Sequence, residues 1–250
     1  MYRQLYSQVV GAVARRIIHA KPTLNILHIG KTGGTNLLEA GVGFPRFNDQ
    51  VKFKLREKIF WKYRTRVIGH EAVPNSLSYP NLALFIRDPL LRYESAFWYE
   101  KKWASSEYAH VIPQDSDVAY LFGKFSTFED WLRAFTDAEN SKHQDACQLK
   151  NKGYHLHRDY AFYFKDTTNV EKMKSNLVFV GETEDYMNDL ERLCKIIGIK
   201  NSTPLTNRRN SSNQKKRTRF KPAESDSFQS FFAKEYLLYN KIRGLKSCHA

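Results

Sequence analysis

The sequence is defined first by what it lacks. No run approaches twenty apolar residues, so a membrane-spanning helix is excluded, and the expectation is a chain without a transmembrane segment. Cysteine is scarce: Cys147, Cys194 and Cys248 stand alone, with no CxxC pair. Neither a disulfide framework nor a zinc cage is signalled, and a reducing compartment is the simpler reading. No internal repeat is present. The chain lacks the ordinary nucleotide P-loop, whose glycine-rich stretch leads into the lysine that reaches the terminal phosphates and the hydroxyl that holds magnesium; here the glycine pair Gly33-Gly34 comes after Lys31. Acidic residues are missing altogether before Glu39.

What is present is a basic, aromatic-rich chain of 250 residues with 40 Lys+Arg against 26 Asp+Glu, a net charge of +14. Hydrophobic residues make up 42% and aromatics 14%, too apolar for a solvated coil. The length suits one domain spanning residues 1–250. The charge asks for an anionic partner, and nucleic acid, a membrane surface, a polyanionic sugar and a phosphate-bearing cofactor all qualify. Residues 200–222 form a polar stretch carrying Arg208, Arg209, Lys215, Lys216, Arg217, Arg219 and Lys221, and they read as a basic loop. Residues 1–22 read as an N-terminal extension, with Val9, Val13 and Ile17 at helical spacing over 4–18. The extension has no continuous apolar core and is not a secretory signal.

Leu24-Asn25-Ile26-Leu27-His28-Ile29 reads as a buried strand running into Gly30-Lys31-Thr32-Gly33-Gly34-Thr35, after which Asn36-Leu37-Leu38 opens a helix. Val67-Ile68-Gly69 ends a second strand. Leu82-Ala83-Leu84-Phe85-Ile86 is a third, apolar enough to be covered on both faces. Pro89 starts a helix that reaches about Lys102. Residues 128–138 form an amphipathic helix with Thr127 as its cap. Leu177-Val178-Phe179-Val180-Gly181 is a fourth strand. Residues 186–197 form a helix stopped by Gly198, and 225–238 a closing helix. Alternation of strands and helices predicts an α/β fold: a single-domain, P-loop-like parallel sheet flanked by helices on both faces.

The turn after the first strand carries the chemistry. The adjacent glycines let backbone approach a ligand closely. The N–H groups of Gly33, Gly34, Thr35 and Asn36 are expected to converge at the positive end of a helix, with Lys31 adding a point charge and Thr32 lying in the same turn. Together they make a phosphate cradle. A second constellation, Arg87-Asp88-Pro89-Leu90-Leu91-Arg92-Tyr93-Glu94-Ser95, begins where the third strand ends. Arg87 with the Ser95 hydroxyl would clamp a separate phosphate; the plainer alternative is a local Arg87–Asp88 ion pair. His155-Leu156-His157 alternates like a strand and lacks further evident ligands, so no metal site is expected.

These two motifs together resemble those of sulfotransferases: residues 27–37 their 5′-phosphosulfate loop and residues 85–97 their 3′-phosphate motif. Val178 to Tyr186 resembles a third landmark, and the carbohydrate group that includes heparan sulfate 2-O-sulfotransferases is the nearest in pattern. The resemblance covers roughly residues 24–198. It implies 3′-phosphoadenosine 5′-phosphosulfate (PAPS) as co-substrate, held by Lys31, Thr32, Gly33, Gly34, Thr35 and Asn36 at its 5′ end and by Arg87 and Ser95 at its 3′-phosphate. Lys31 would neutralise the leaving bridge oxygen, and no metal would be needed. The acceptor would be a hydroxyl, on a carbohydrate or anionic glycan.

A Gly-His at the end of the second strand implies His70 as general base, with Glu71 and Glu39 as rivals. Residues 140–145, a polar stretch after a helix, are a candidate acceptor contact; a plain surface loop is the alternative. Family members of the Golgi carry an anchor that this sequence does not show, so the expectation is a cytoplasmic, microbial enzyme or the trimmed catalytic part of an anchored one. Two other classes remain: a nucleotide-dependent kinase with an unusual P-loop, and a basic nucleic-acid-binding protein. The basic residues form no recognised reading helix or finger, so nucleic acid is not the expected partner.

Overall fold

The computed structural model describes residues 20–32, 63–69, 79–104, 116–198 and 226–246. Residues 1–19 of the N-terminal extension, the turn beyond Thr32, His70, Glu71, Glu39 and the basic loop lie outside the described residues. Four strands, β1 (Thr23–His28), β2 (Arg64–Gly69), β3 (Leu82–Ile86) and β4 (Leu177–Glu182), form an all-parallel sheet in the order β2-β1-β3-β4. The fold is therefore α/β, with strands two, three and four where the apolar runs place them.

Helices cover both faces because both faces are apolar. Leu82, Leu84 and Ile86 of β3 join Leu27, Ile68 and Val180 in one core, while Ala83 and Phe85 join Leu24, Ile26 and Phe179 in another. That alternation is the pleat of a strand with no solvated side. The helices following β3 are α1 (Pro89–Ala104), α2 (Ser116–Gly123), α3 (Phe128–Thr136), α4 (His143–Lys152), α5 (Tyr160–Phe164) and α6 (Thr167–Met173). After β4 come α7 (Tyr186–Ile197) and α8 (Asp226–Gly244). Helices α5, α6 and α8 pack on the first face through Tyr160, Tyr163, Val170, Met173, Leu238 and Ile242. Helix α7 packs on the second through Leu190, Leu193 and Ile197. A third core, centred on Trp131, Phe97 and Phe128, joins α1 to α4 beside the sheet.

Local signals behave as their chemistry dictates. Thr127 and Asp130 form a reciprocal capping box at the start of α3. Gly198 ends α7 at φ 88°, in the left-handed region where a side chain would strain the chain. Three expectations need correction. The closing helix runs on to Gly244, because Leu238, Tyr239 and Ile242 continue its buried stripe. Residues 143–145 are the first turn of α4 rather than loop. His155-Leu156-His157 is a turn and not a strand: the Glu100 carboxylate accepts the N–H groups of His155 (2.6 Å) and Leu156 (3.0 Å), which a strand would give to a neighbour.

Candidate functional site

The sheet order itself chooses the site. The chain leaves β1 to form β2 on one side, then crosses to form β3 on the other. Between the carboxyl ends of β1 and β3 the loops part, and in open α/β sheets that crevice is where ligands bind. Gly30-Lys31-Thr32 follows β1 and Arg87 follows β3, so both motifs reach the same crevice. They are also tied together: the Arg87 guanidinium donates to the Lys31 carbonyl at 3.4 Å across 56 residues of sequence.

Helix α5 holds both strand exits from below. The Tyr163 hydroxyl accepts the Gly30 N–H at 2.9 Å. The Tyr160 hydroxyl accepts the Arg87 N–H at 2.8 Å and donates to the Arg87 carbonyl at 2.6 Å. Three residues apart, the two tyrosines share one face of the helix. Carboxylates fasten the amino end of α5: Asp159 accepts from Phe162, and Glu235 of α8 accepts from Tyr160 and Ala161.

Lys31 adopts φ 66°, a conformation that costs a non-glycine residue roughly 1–2 kcal/mol. The turn thereby puts the ammonium 3.6 Å above the Tyr99 ring of α1. Burial, reinforced by the Arg87 charge and opposed by Glu100, pulls the Lys31 pKa down to about 8. His28, at the end of β1, is likewise lowered by burial and then by Lys31, so its imidazole is neutral at pH 7. Thr32 is buried and its hydroxyl donates to the Ile29 carbonyl at 2.8 Å. That hydroxyl closes the turn. Gly33, Gly34, Thr35 and Asn36 lie outside the described residues.

At the Arg87 end, the expected local ion pair with Asp88 is not how the carboxylate is used. Asp88 caps α1 through the Leu91 N–H at 3.1 Å and accepts the Tyr236 hydroxyl at 3.1 Å. Arg87 instead stands 4.0 Å from Glu184, which follows β4. Ser95 is half-buried on α1, one helical turn before Tyr99, and thus on the side of the helix that Lys31 covers. Gly69, the last residue of β2, pairs with His28. His70 itself is outside the described residues.

Glu100 was not legible as a site residue, since an acidic residue in an amphipathic helix reads as a solvated position. It is 1% exposed, and burial lifts its pKa to about 7 against the pull of backbone N–H groups and Lys31. Its Oε2 has no hydrogen-bond partner among the described residues. A Cβ at position 153 would lie 2.9 Å from that oxygen, so Gly153 is what lets the 153–157 turn close over the carboxyl group. A raised carboxyl pKa stabilises the fold fully below about 4.5, and the contribution is lost as pH rises through about 7. Glu100→Gln should therefore gain stability relative to the wild type between pH 5 and 8, by on the order of 3 kcal/mol. Thermal melts of both proteins across that range measure it; a constant difference would mean that Glu100 ionises freely.

Two arginines were also missed. Arg92 is fully buried and donates to the Arg158 carbonyl at 2.9 Å, and Arg158 lies over the Tyr154 ring at 3.8 Å. Among the described residues no group of three or more His, Cys, Asp or Glu is placed to hold a metal ion, and no helix is long and apolar enough to cross a membrane. Compared with protein-family models, with curated proteins and with solved structures, the chain matches none.

Proposed function

We propose that this protein is a sulfotransferase that moves the sulfuryl group of PAPS to a hydroxyl of a carbohydrate acceptor, through a single P-loop-like domain spanning the chain. The observation that carries the reading is the joining of the Lys31 turn to Arg87 at the crevice between β1 and β3. Two separated cations there suit a nucleotide with phosphate at both its 5′ and 3′ positions. In this reading the turn from Lys31 to Asn36 holds the 5′-phosphosulfate, and Arg87 with Ser95 holds the 3′-phosphate. The acceptor oxygen bonds to sulfur while the bridging S–O bond breaks, and the departing phosphate oxygen keeps the electron pair. Lys31 neutralises that oxygen, and His70 takes the hydroxyl proton. Positioning and electrostatics carry such a loose, in-line transfer.

The test reads the 3′-phosphate directly. The wild type should be stabilised thermally more by 3′,5′-ADP than by 5′-ADP, because a ligand that binds only the folded state raises its stability. Arg87→Ala should abolish the difference. Equal stabilisation by 5′-ADP or ATP would replace this reading with a nucleotide-dependent kinase.

A further inference from the structure

The segment after β3 is held from one distant helix, α8, by two separate routes. On the first, the Tyr160 hydroxyl of α5 accepts the Arg87 N–H and donates to the Arg87 carbonyl. The Glu235 carboxylate of α8 accepts the N–H of that same Tyr160 at 2.9 Å and of Ala161 at 3.0 Å. On the second, the Tyr236 hydroxyl donates to Asp88 Oδ2 at 3.1 Å across 148 residues of sequence. Oδ1 of that carboxylate accepts the Leu91 N–H in the first turn of α1. Two consecutive residues of α8 thus fasten two consecutive residues at the exit of β3.

Glu235 is 4% exposed, so water does not replace a bond that its carboxylate loses. Burial, and then the Asp88 charge, raises the Tyr236 pKa, which keeps its hydroxyl protonated and able to donate. Further along α8, Tyr239 donates to Glu182 Oε2 at 3.4 Å. Arg243, and Lys246 just beyond the helix, pair with that carboxylate at 3.0 and 3.1 Å. Glu182 ends β4, so α8 is fastened along the sheet edge that carries the crevice. The Arg87 side chain itself is 18% exposed and open to an incoming anion. A planar guanidinium grips an anion at two points only when its backbone places it correctly, and fixing it beforehand removes ordering entropy from the cost of binding.

We propose that α8 sets the anion affinity of Arg87, with Tyr236 and Glu235 as its positioning residues: Tyr236 fixes the segment through Asp88, and Glu235 fixes it through α5 and Tyr160. Neither residue touches the anion. That the anion is the 3′-phosphate of a nucleotide rests on the sulfotransferase reading; that α8 holds Arg87 in place does not.

The experiment combines two measurements on the full chain: calorimetric titration with 3′,5′-ADP and with 5′-ADP, and backbone hydrogen exchange without ligand. Tyr236→Phe removes a single oxygen. It should weaken 3′,5′-ADP by about 5- to 10-fold and leave 5′-ADP unchanged, because only the Arg87 end is loosened. A general loss of stability would not move that ratio. The Leu91 N–H should exchange at least about 10-fold faster, since the carboxylate that caps it is no longer held. Glu235→Gln keeps the assay decisive if the phenylalanine variant does not fold. It should speed exchange of the Arg87 N–H and weaken both nucleotides, because α5 also holds the Gly30 N–H through Tyr163. Leu237→Gln alters a side chain that is 59% exposed on the same helix and should leave affinities and exchange intact.

A Tyr236→Phe protein with unchanged Leu91 exchange, or a Glu235→Gln protein with unchanged Arg87 exchange, overturns the proposal. So does a Tyr236→Phe protein that keeps the nucleotide ratio while Arg87→Ala abolishes it. A Leu237→Gln ratio that falls as far would make helix stability the cause and overturn it too. A wild type with no preference for 3′,5′-ADP removes the sulfotransferase reading instead; exchange at Leu91 and Arg87 then decides the role of α8 alone.

Discussion

Lys31→Ala should lower turnover with PAPS by about 10²–10³, the usual loss when one group that stabilises developing charge is removed. Folding should be largely unaffected, because the ammonium rests on Tyr99 at the edge of the crevice rather than inside a core. The wild type should also lose kcat/KM above pH of about 8, since burial and Arg87 pull the lysine to about that value and only its charged form can neutralise the leaving oxygen. Bound donor is anionic and favours the charged lysine, so the corresponding fall in kcat should come at higher pH. Lys31→Arg should retain part of the rate and lack the alkaline fall, because guanidinium does not titrate in that range. Rate profiles from pH 6 to 10 test all three statements. A Lys31→Ala enzyme with near-normal rate would take the residue out of the mechanism, and equal losses of folding and activity would make it a structural one.

Removal of the proposed base should cost as much or more. His70→Ala is expected to lower turnover by about 10²–10⁴, the share commonly carried by general-base catalysis. Donor binding should persist, read as undiminished stabilisation by 3′,5′-ADP, because a base touches the acceptor and not the nucleotide. The basis is the register of β2 on β1, which pairs Gly69, the residue before His70 in sequence, with His28 at the end of β1. The rate should fall at acid pH as the imidazole is protonated. His28 sharpens the experiment: it stands at the end of β1, and burial and Lys31 hold its pKa below the ordinary histidine value. If His28→Ala removes the acid fall and His70→Ala does not, the base belongs to β1. Glu71→Ala, run in parallel, decides whether the proton goes one residue further along. A His70→Ala enzyme that keeps its rate ends the assignment.

Much of the fold was readable residue by residue, because its strands are of the one kind that announces itself. A parallel strand covered on both faces needs apolar side chains at every position, and Leu82-Ala83-Leu84-Phe85-Ile86 supplies them without interruption. Caps are equally local: Thr127 with Asp130, and Gly198, act on backbone groups within four residues of themselves. The turn chemistry at Lys31 and the placement of Arg87 at a strand exit follow from neighbours in sequence as well.

The short helices did not show themselves, because distant groups hold them. Helix α5 has five residues, too few to be stable alone. It persists because Glu235, 75 residues away from Tyr160, caps it, and because its tyrosines bond to the exits of β1 and β3. Nothing in the sequence singled out Glu100, for the same reason. Burial is a property of what packs around a residue, and the turn that gives the Glu100 carboxyl group its N–H partners lies 55 residues further along the chain. The chain's own residue order names Lys31 and Arg87 as candidates for anion binding. Only the parallel pairing of β1 with β3, which sets Ile26 beside Ala83 and Leu27 beside Leu84, makes them one site. Hydrogen bonds along a ladder fix the distance between strand ends in space, and distance in sequence carries no such information.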